Sequence, residues 1–188
     1  GAMSKRRAQH TSDSAIWGTG RALVDIARAT LGKISVDPFS SAEWNRIIAA
    51  DRYINEQQNG YAIPWVTGGP RPAEMLMLDA PHYPNGGRPH AAYLGQRVLW
   101  GETALVNPPG DKTGDGVKRA WGILEGYHRC GWLGGGAVWV AFSLNQLQTT
   151  QRAGQRSLCD PTFLRCVPMA REAYESAPGV VGEAPPHP

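Results

Sequence analysis

The residues best suited to chemistry in this chain form one short run, Ala104-Leu105-Val106-Asn107-Pro108-Pro109-Gly110. Three apolar residues stop on an asparagine followed by two residues that cannot donate backbone hydrogen bonds, so the run reads as a buried strand that delivers Asn107 to the carboxyl end of a sheet. Ligands of open α/β sheets bind at that edge. The Asn107 carboxamide and the Pro108 carbonyl can both accept hydrogen bonds from one amino group, and proline's fixed φ holds its carbonyl rigidly. The run therefore has the chemistry of an amine reader, although a strand that merely ends in a Pro-Pro turn would have the same residues.

Few other reactive patterns compete with it. The strand ending at Asp37 is followed by no Gly-x-Gly-x-x-Gly, and the chain has neither a Walker lysine motif nor a Gly-x-Ser-x-Gly elbow. The five histidines are scattered without ligand spacing, and the three cysteines are an odd count with no Cys-x-x-Cys pair. This disfavours a metal site and a disulfide framework, and it fits a reduced, cytoplasmic setting. The longest apolar run, Ala137 to Phe142, is too short to span a membrane. A net charge of +3 permits a nucleic-acid partner without requiring one.

A positioning scaffold can be read around the Asn107 run. With 188 residues, 41% of them hydrophobic, the chain is long enough for one well-buried domain. Residues 1–14 read as a tag remnant (Gly1-Ala2-Met3) and a disordered tail, residues 15–176 as the folded domain, and residues 177–188 as a second disordered tail. Arg21 to Thr30 has the apolar spacing of a helix that Gly32 ends. Lys33 to Asp37 alternates and halts at Asp-Pro, predicting a strand with Asp37 at its carboxyl end. A second helix, capped by Ser40 or Ser41, is expected to run to about Arg52, and Tyr61 to Val66 to form a short strand. Residues 67–96 are rich in Gly and Pro and read as an inserted loop, interrupted by a short element over Ala73 to Leu78 and bearing His82, Tyr83 and Arg88. Val117 to Cys130 is predicted helical, Ala137 to Phe142 a strand buried on both faces and ending at Ser143, and Leu158 to Pro168 a last short strand. Helix-strand units with polar strand ends at Asp37, Asn107 and Ser143 predict an α/β fold with a doubly wound, mainly parallel sheet.

The order Trp17-x-Thr19, then Val36-Asp37-Pro38-Phe39-Ser40-Ser41 with Asn45, Ala50-x-Arg52-Tyr53, Gly60 and Trp65, then Val106-Asn107-Pro108-Pro109 resembles the phage-type DNA N6-adenine methyltransferase family. The resemblance spans roughly residues 16–168 apart from the insertion. It implies a Rossmann-like methyltransferase fold, S-adenosyl-L-methionine as cofactor, DNA as partner, and a bacterial or phage-infected cytoplasm as setting. By the same resemblance Trp17, Thr19, Asp37, Pro38, Phe39 and Ser40 line the cofactor site, and Asn107, Pro108 and Pro109 hold the 6-amino group of adenine; by their position after the Asp37 strand, Asp51 or Glu56 is the candidate partner for the ribose hydroxyls. Arg71, Arg88, Lys112 and Lys118 are the basic residues expected to touch phosphates.

The chain departs from that pattern at Gly110, where the family has an aromatic residue on which the target base stacks. Phe39, Tyr83, Trp121 and Phe142 are the aromatic residues available as substitutes. Three functions remain compatible with the sequence: adenine methylation with a relocated platform, methylation of another amine, and DNA or protein binding without catalysis.

Overall fold

The computed structural model describes residues 18–76, 102–110 and 114–141, together with the backbone of 175–177 and 180–181. In chain order the elements are α1 (Arg21–Leu31), β1 (Val36–Asp37), α2 (Ala42–Ile48), β2 (Arg52–Tyr53), α3 (Pro72–Leu76), β3 (Thr103–Val106), α4 (Asp115–Arg129), β4 (Gly136–Trp139), β5 (Glu175–Ala177) and β6 (Val180–Val181). The first four strands form one all-parallel sheet in the order β2-β1-β3-β4. β5 and β6 pair antiparallel with each other, where the sequence predicts the start of a disordered tail.

Helices cover both faces of the sheet, and strand alternation shows how. Val36, Ala104 and Val106 join one core with Trp121, Leu124 and Tyr127 of α4 and Met75 of α3. Ile34 and Leu105 point the other way, into a second core with Val24 and Ala27 of α1 and Trp44 and Ile48 of α2. The arrangement follows from handedness. The chain steps outward in one direction from β1 to β2 and in the opposite direction from β3 to β4, so crossovers of the same hand must lie on opposite faces. β3 is buried along its whole length because it is central and covered on both sides.

Polar side chains pin the register at the amino end of the central pair. Thr103 Oγ1 donates to the Lys33 carbonyl at 2.6 Å and accepts from Ser35 N–H at 3.0 Å, while Ser35 Oγ accepts from Thr103 N–H at 3.1 Å. A slip of one residue would break all three bonds and turn Leu105 out of its core.

Several elements differ from the sequence expectations. α2 ends at Ile48 rather than near Arg52, because Ala49 turns left-handed (φ 48°) and Asn45 clamps the turn through both its amide atoms and the backbone of Ala50. Arg52–Tyr53 is thereby released to form β2 beside β1. Tyr61–Val66 is a series of turns and not a strand, built on Asn59, whose carbonyl accepts from Ala62 N–H at 2.8 Å. The short element in the insertion is the helix α3. β4 is half-buried instead of buried on both faces, since none of the described strands pairs with its outer edge. Ser143, Phe142, most of the insertion and the strand expected at 158–168 lie outside the described residues. No helix among the described residues is long and apolar enough to cross a membrane.

Candidate functional site

The strand order reverses between β1 and β3, and a parallel sheet opens a crevice at its carboxyl edge at that point. Asp37 is the last residue of β1 and Asn107 the first residue after β3, so the two strand ends singled out in the sequence meet there. Val36 pairs with Ala104, which sets Asn107 two residues further along the neighbouring strand than Asp37. With about 3.3 Å of rise per residue and about 4.8 Å between strands, their Cα atoms are roughly 8 Å apart.

Asp37 is only 1% exposed. Removal from water disfavours its ionised form and pushes its pKa up to about 7, and the Phe39 N–H, donating to Oδ1 at 3.1 Å, only partly opposes this. The Ser40 hydroxyl lies near enough to pull in the same direction as Phe39, but outside hydrogen-bond geometry. Its buried Oγ has no hydrogen-bond partner among the described residues. A buried carboxyl with a raised pKa three residues before a buried hydroxyl that has no partner among the described residues is a candidate site for a polar ligand. Ser41 is engaged differently, since its Oγ caps α2 by accepting from Trp44 N–H at 3.2 Å.

Asn107 is held from the other side of the sequence. Its Nδ2 donates to Thr19 Oγ1 at 2.9 Å, a buried bond across 88 residues. That bond fixes the plane of the carboxamide and puts its acceptor, Oδ1, on the side away from Thr19. Gly18 makes the approach possible, because a Cβ there would lie 1.9 Å from the Trp44 ring. The resemblance sets Thr19 beside the cofactor, and what the structure shows of it is the bond that orients Asn107.

The loop after Asp37 rests on a second close approach. A Cβ at Gly60 would lie 2.1 Å from the Pro38 carbonyl oxygen and 2.8 Å from the Phe39 ring. Trp65 Nε1 donates to the Gly60 carbonyl at 2.6 Å, and Phe39 packs against Tyr61 (centroids 4.8 Å apart) and edge-on against Trp65 (5.7 Å). Tyr127 completes the stack on Trp65 at 5.5 Å, its hydroxyl accepting from Trp65 N–H and donating to the Pro70 carbonyl.

The remaining candidates divide. Pro38 and Pro108 are buried beside Asp37 and Asn107, Pro109 is half-buried, and Gly110 is exposed, with no atom of the described residues within 4 Å of where its Cβ would lie. Trp121 is a core residue, set edge-on to Trp139 at 5.4 Å, and so offers no platform at the crevice. Asp51 sits at the wrong end of β2 for a ribose contact: it precedes the strand and pairs with Lys33 at the amino edge of the sheet (3.3 Å). Glu56, exposed in the turn beyond the carboxyl end of β2, is on the crevice side. Lys118 lies in the first turns of α4, whereas Arg71 follows Pro70, whose carbonyl is held by Tyr127 nine residues further along that helix, about 14 Å along its axis. Trp17, Arg88, Lys112 and Tyr83 lie outside the described residues. No cluster of His, Cys, Asp and Glu among the described residues could hold a metal ion.

Sequence reasoning missed Arg119. Its guanidinium carbon lies 5.2 Å from the centre of the Tyr61 ring and its Nη2 donates to the Tyr61 carbonyl at 3.4 Å. The only signal for it was a basic pair, Lys118-Arg119, just inside the helix after the Asn-Pro-Pro run. Comparison with protein-family models, with curated proteins and with solved structures returned no match.

Proposed function

We propose that this chain transfers a methyl group from S-adenosylmethionine to the 6-amino group of adenine in DNA, on a Rossmann-like methyltransferase fold. The observation that carries the reading is the meeting of Asp37 and Asn107-Pro108 at the strand-order reversal, with Asn107 oriented by Thr19.

The residues at the end of β1 suit the cofactor. Asp37 offers a buried carboxyl, and Ser40 a hydroxyl without a partner among the described residues, to an ammonium group or to hydroxyls, Pro38 and Phe39 offer apolar surface, and Glu56 stands beyond β2 within the same edge. S-adenosylmethionine, when bound, supplies an activated methyl group on a sulfonium.

The residues after β3 suit the amine. Adenine's amino nitrogen is a poor nucleophile because its lone pair is delocalised into the ring. Asn107 Oδ1 and the Pro108 carbonyl are two acceptors for its two N–H groups, and accepting both pulls the nitrogen toward tetrahedral geometry and frees the lone pair to attack. Holding that geometry does the rest, and the nitrogen sheds its proton after the methyl has arrived. A duplex hides the amine, so the base must leave the stack to reach Asn107. Arg71, Arg88, Lys112 and Lys118 supply phosphate contacts that carry no sequence information.

Incubation with labelled S-adenosylmethionine and varied DNA, followed by digestion to nucleosides, tests the reading. Labelled N6-methyladenine is the expected product, and Asn107→Ala should abolish it while leaving cofactor binding nearly unchanged. Undiminished labelling by the Asn107→Ala protein would sink the role assigned to that residue. The open, exposed position at Gly110 favours a second reading, methyl transfer to a different amine. Cofactor binding with no labelled base on any DNA would decide for it.

A further inference from the structure

We propose that Arg119, whose guanidinium lies over the Tyr61 ring, is the residue on which this protein stacks a nucleic-acid base, in place of the aromatic side chain that Gly110 lacks. The inference rests on the reading above that DNA is the partner. Its starting point is location. Tyr61 follows Gly60, which is packed under the Pro38 carbonyl one residue beyond Asp37. Arg119 lies on the first turns of α4, the helix that begins a few residues after Asn107 and therefore starts at the carboxyl edge of the sheet. The contact between them joins the two flanks of the crevice on the face of the sheet that α4 covers.

The geometry suits stacking better than simple charge pairing. The Tyr61 ring beneath and the Tyr61 carbonyl, accepting from Nη2 at 3.4 Å, restrict how the guanidinium can turn. Phe39, 4.8 Å from Tyr61, backs the ring from the core side. Arg119 itself is exposed, so a flat partner can reach its planar guanidinium. A guanidinium plane is a recognised platform for unstacked bases, and its charge also attracts the adjoining phosphate. Lysine keeps the charge and loses the plane, which separates the two contributions.

The test is fluorescence anisotropy with a short labelled DNA duplex of mixed sequence and each of its single strands, across a salt series. Arg119→Lys should weaken binding about ten- to hundredfold, the loss of one stacked base, with the salt dependence unchanged. Lys118→Ala should instead lower the salt slope by about one phosphate contact. Tyr61→Leu, which removes the supporting ring, should reproduce the Arg119→Lys defect. Because Arg119 is exposed, its replacement should leave the thermal midpoint unchanged. Wild-type affinity in Arg119→Lys, from a protein that methylates DNA, would overturn this proposal and leave the methyltransferase reading standing. A wild-type protein that binds S-adenosylmethionine but none of these DNAs would overturn both.

Discussion

Asp37→Asn isolates the tension built into the crevice. The substitution preserves shape and keeps an oxygen for the Phe39 N–H, but removes the ionisable proton. Burial raises the Asp37 pKa from 3.8 to about 7, and each pKa unit corresponds to about 1.4 kcal/mol. Between those two values the folded chain holds a proton that the unfolded chain has released, so stability falls as pH rises through that window. Below it both states are protonated and Asp37 costs nothing by this route. Above it the folded state carries a buried carboxylate at a cost of up to about 4 kcal/mol, a large share of a typical domain's stability. Urea unfolding of the wild-type and Asp37→Asn proteins in parallel, from about pH 4 to about pH 8, cancels the other titrating groups. The two should be equally stable at the acid end, and the variant should become progressively more stable toward neutrality. On the proposed function it should also bind S-adenosylmethionine more weakly, trading the ligand contact for stability. A variant no more stable than wild type at pH 8, or a gap that ignores pH, would refute the reasoning by showing that the folded protein stabilises this carboxylate.

Three further substitutions probe the supports of the site. Thr19→Val removes the hydroxyl that orients Asn107; it should cost about 1 kcal/mol of stability, lower kcat more than it raises KM, and be rescued by Thr19→Ser, all measurable by steady-state methylation assays. Gly60→Ala puts a methyl group against the Pro38 carbonyl and the Phe39 ring; the overpacking should cost about 1–3 kcal/mol in urea titrations and weaken cofactor binding in calorimetry by shifting the loop after Asp37. Tyr127→Phe leaves the buried Trp65 N–H and the Pro70 carbonyl without their shared hydroxyl and should destabilise by about 2 kcal/mol. The same burial pushes the Tyr127 pKa up to about 12, so ultraviolet titration of the native protein should show a late-ionising tyrosine that the Tyr127→Phe protein lacks.

Local chemistry in the sequence was enough to place the two strand ends. Proline after Asp37 and after Asn107 removes the backbone donor that a strand would need to continue, so the positions of those side chains at strand termini are written in the chain itself. The helices α1 and α4 were equally legible, because their apolar spacing repeats over several turns. Short strands were not. β2 has two residues and no pattern of its own, and it exists because Asn45 and the left-handed Ala49 end α2 early and bring Arg52 alongside Ser35. The half-burial of β4 depends on its place in the strand order, which an apolar run cannot encode. The site divides along the same line. Asp37 and Asn107 could be named from their neighbours in sequence, but the bond from Asn107 to Thr19, the buried Ser40 hydroxyl without a partner among the described residues, and the placement of Arg119 over the Tyr61 ring join residues that are distant in the chain or turned inward only by packing. Such contacts arise when the sheet closes its register and the helices cover it, so they belong to the tertiary structure alone.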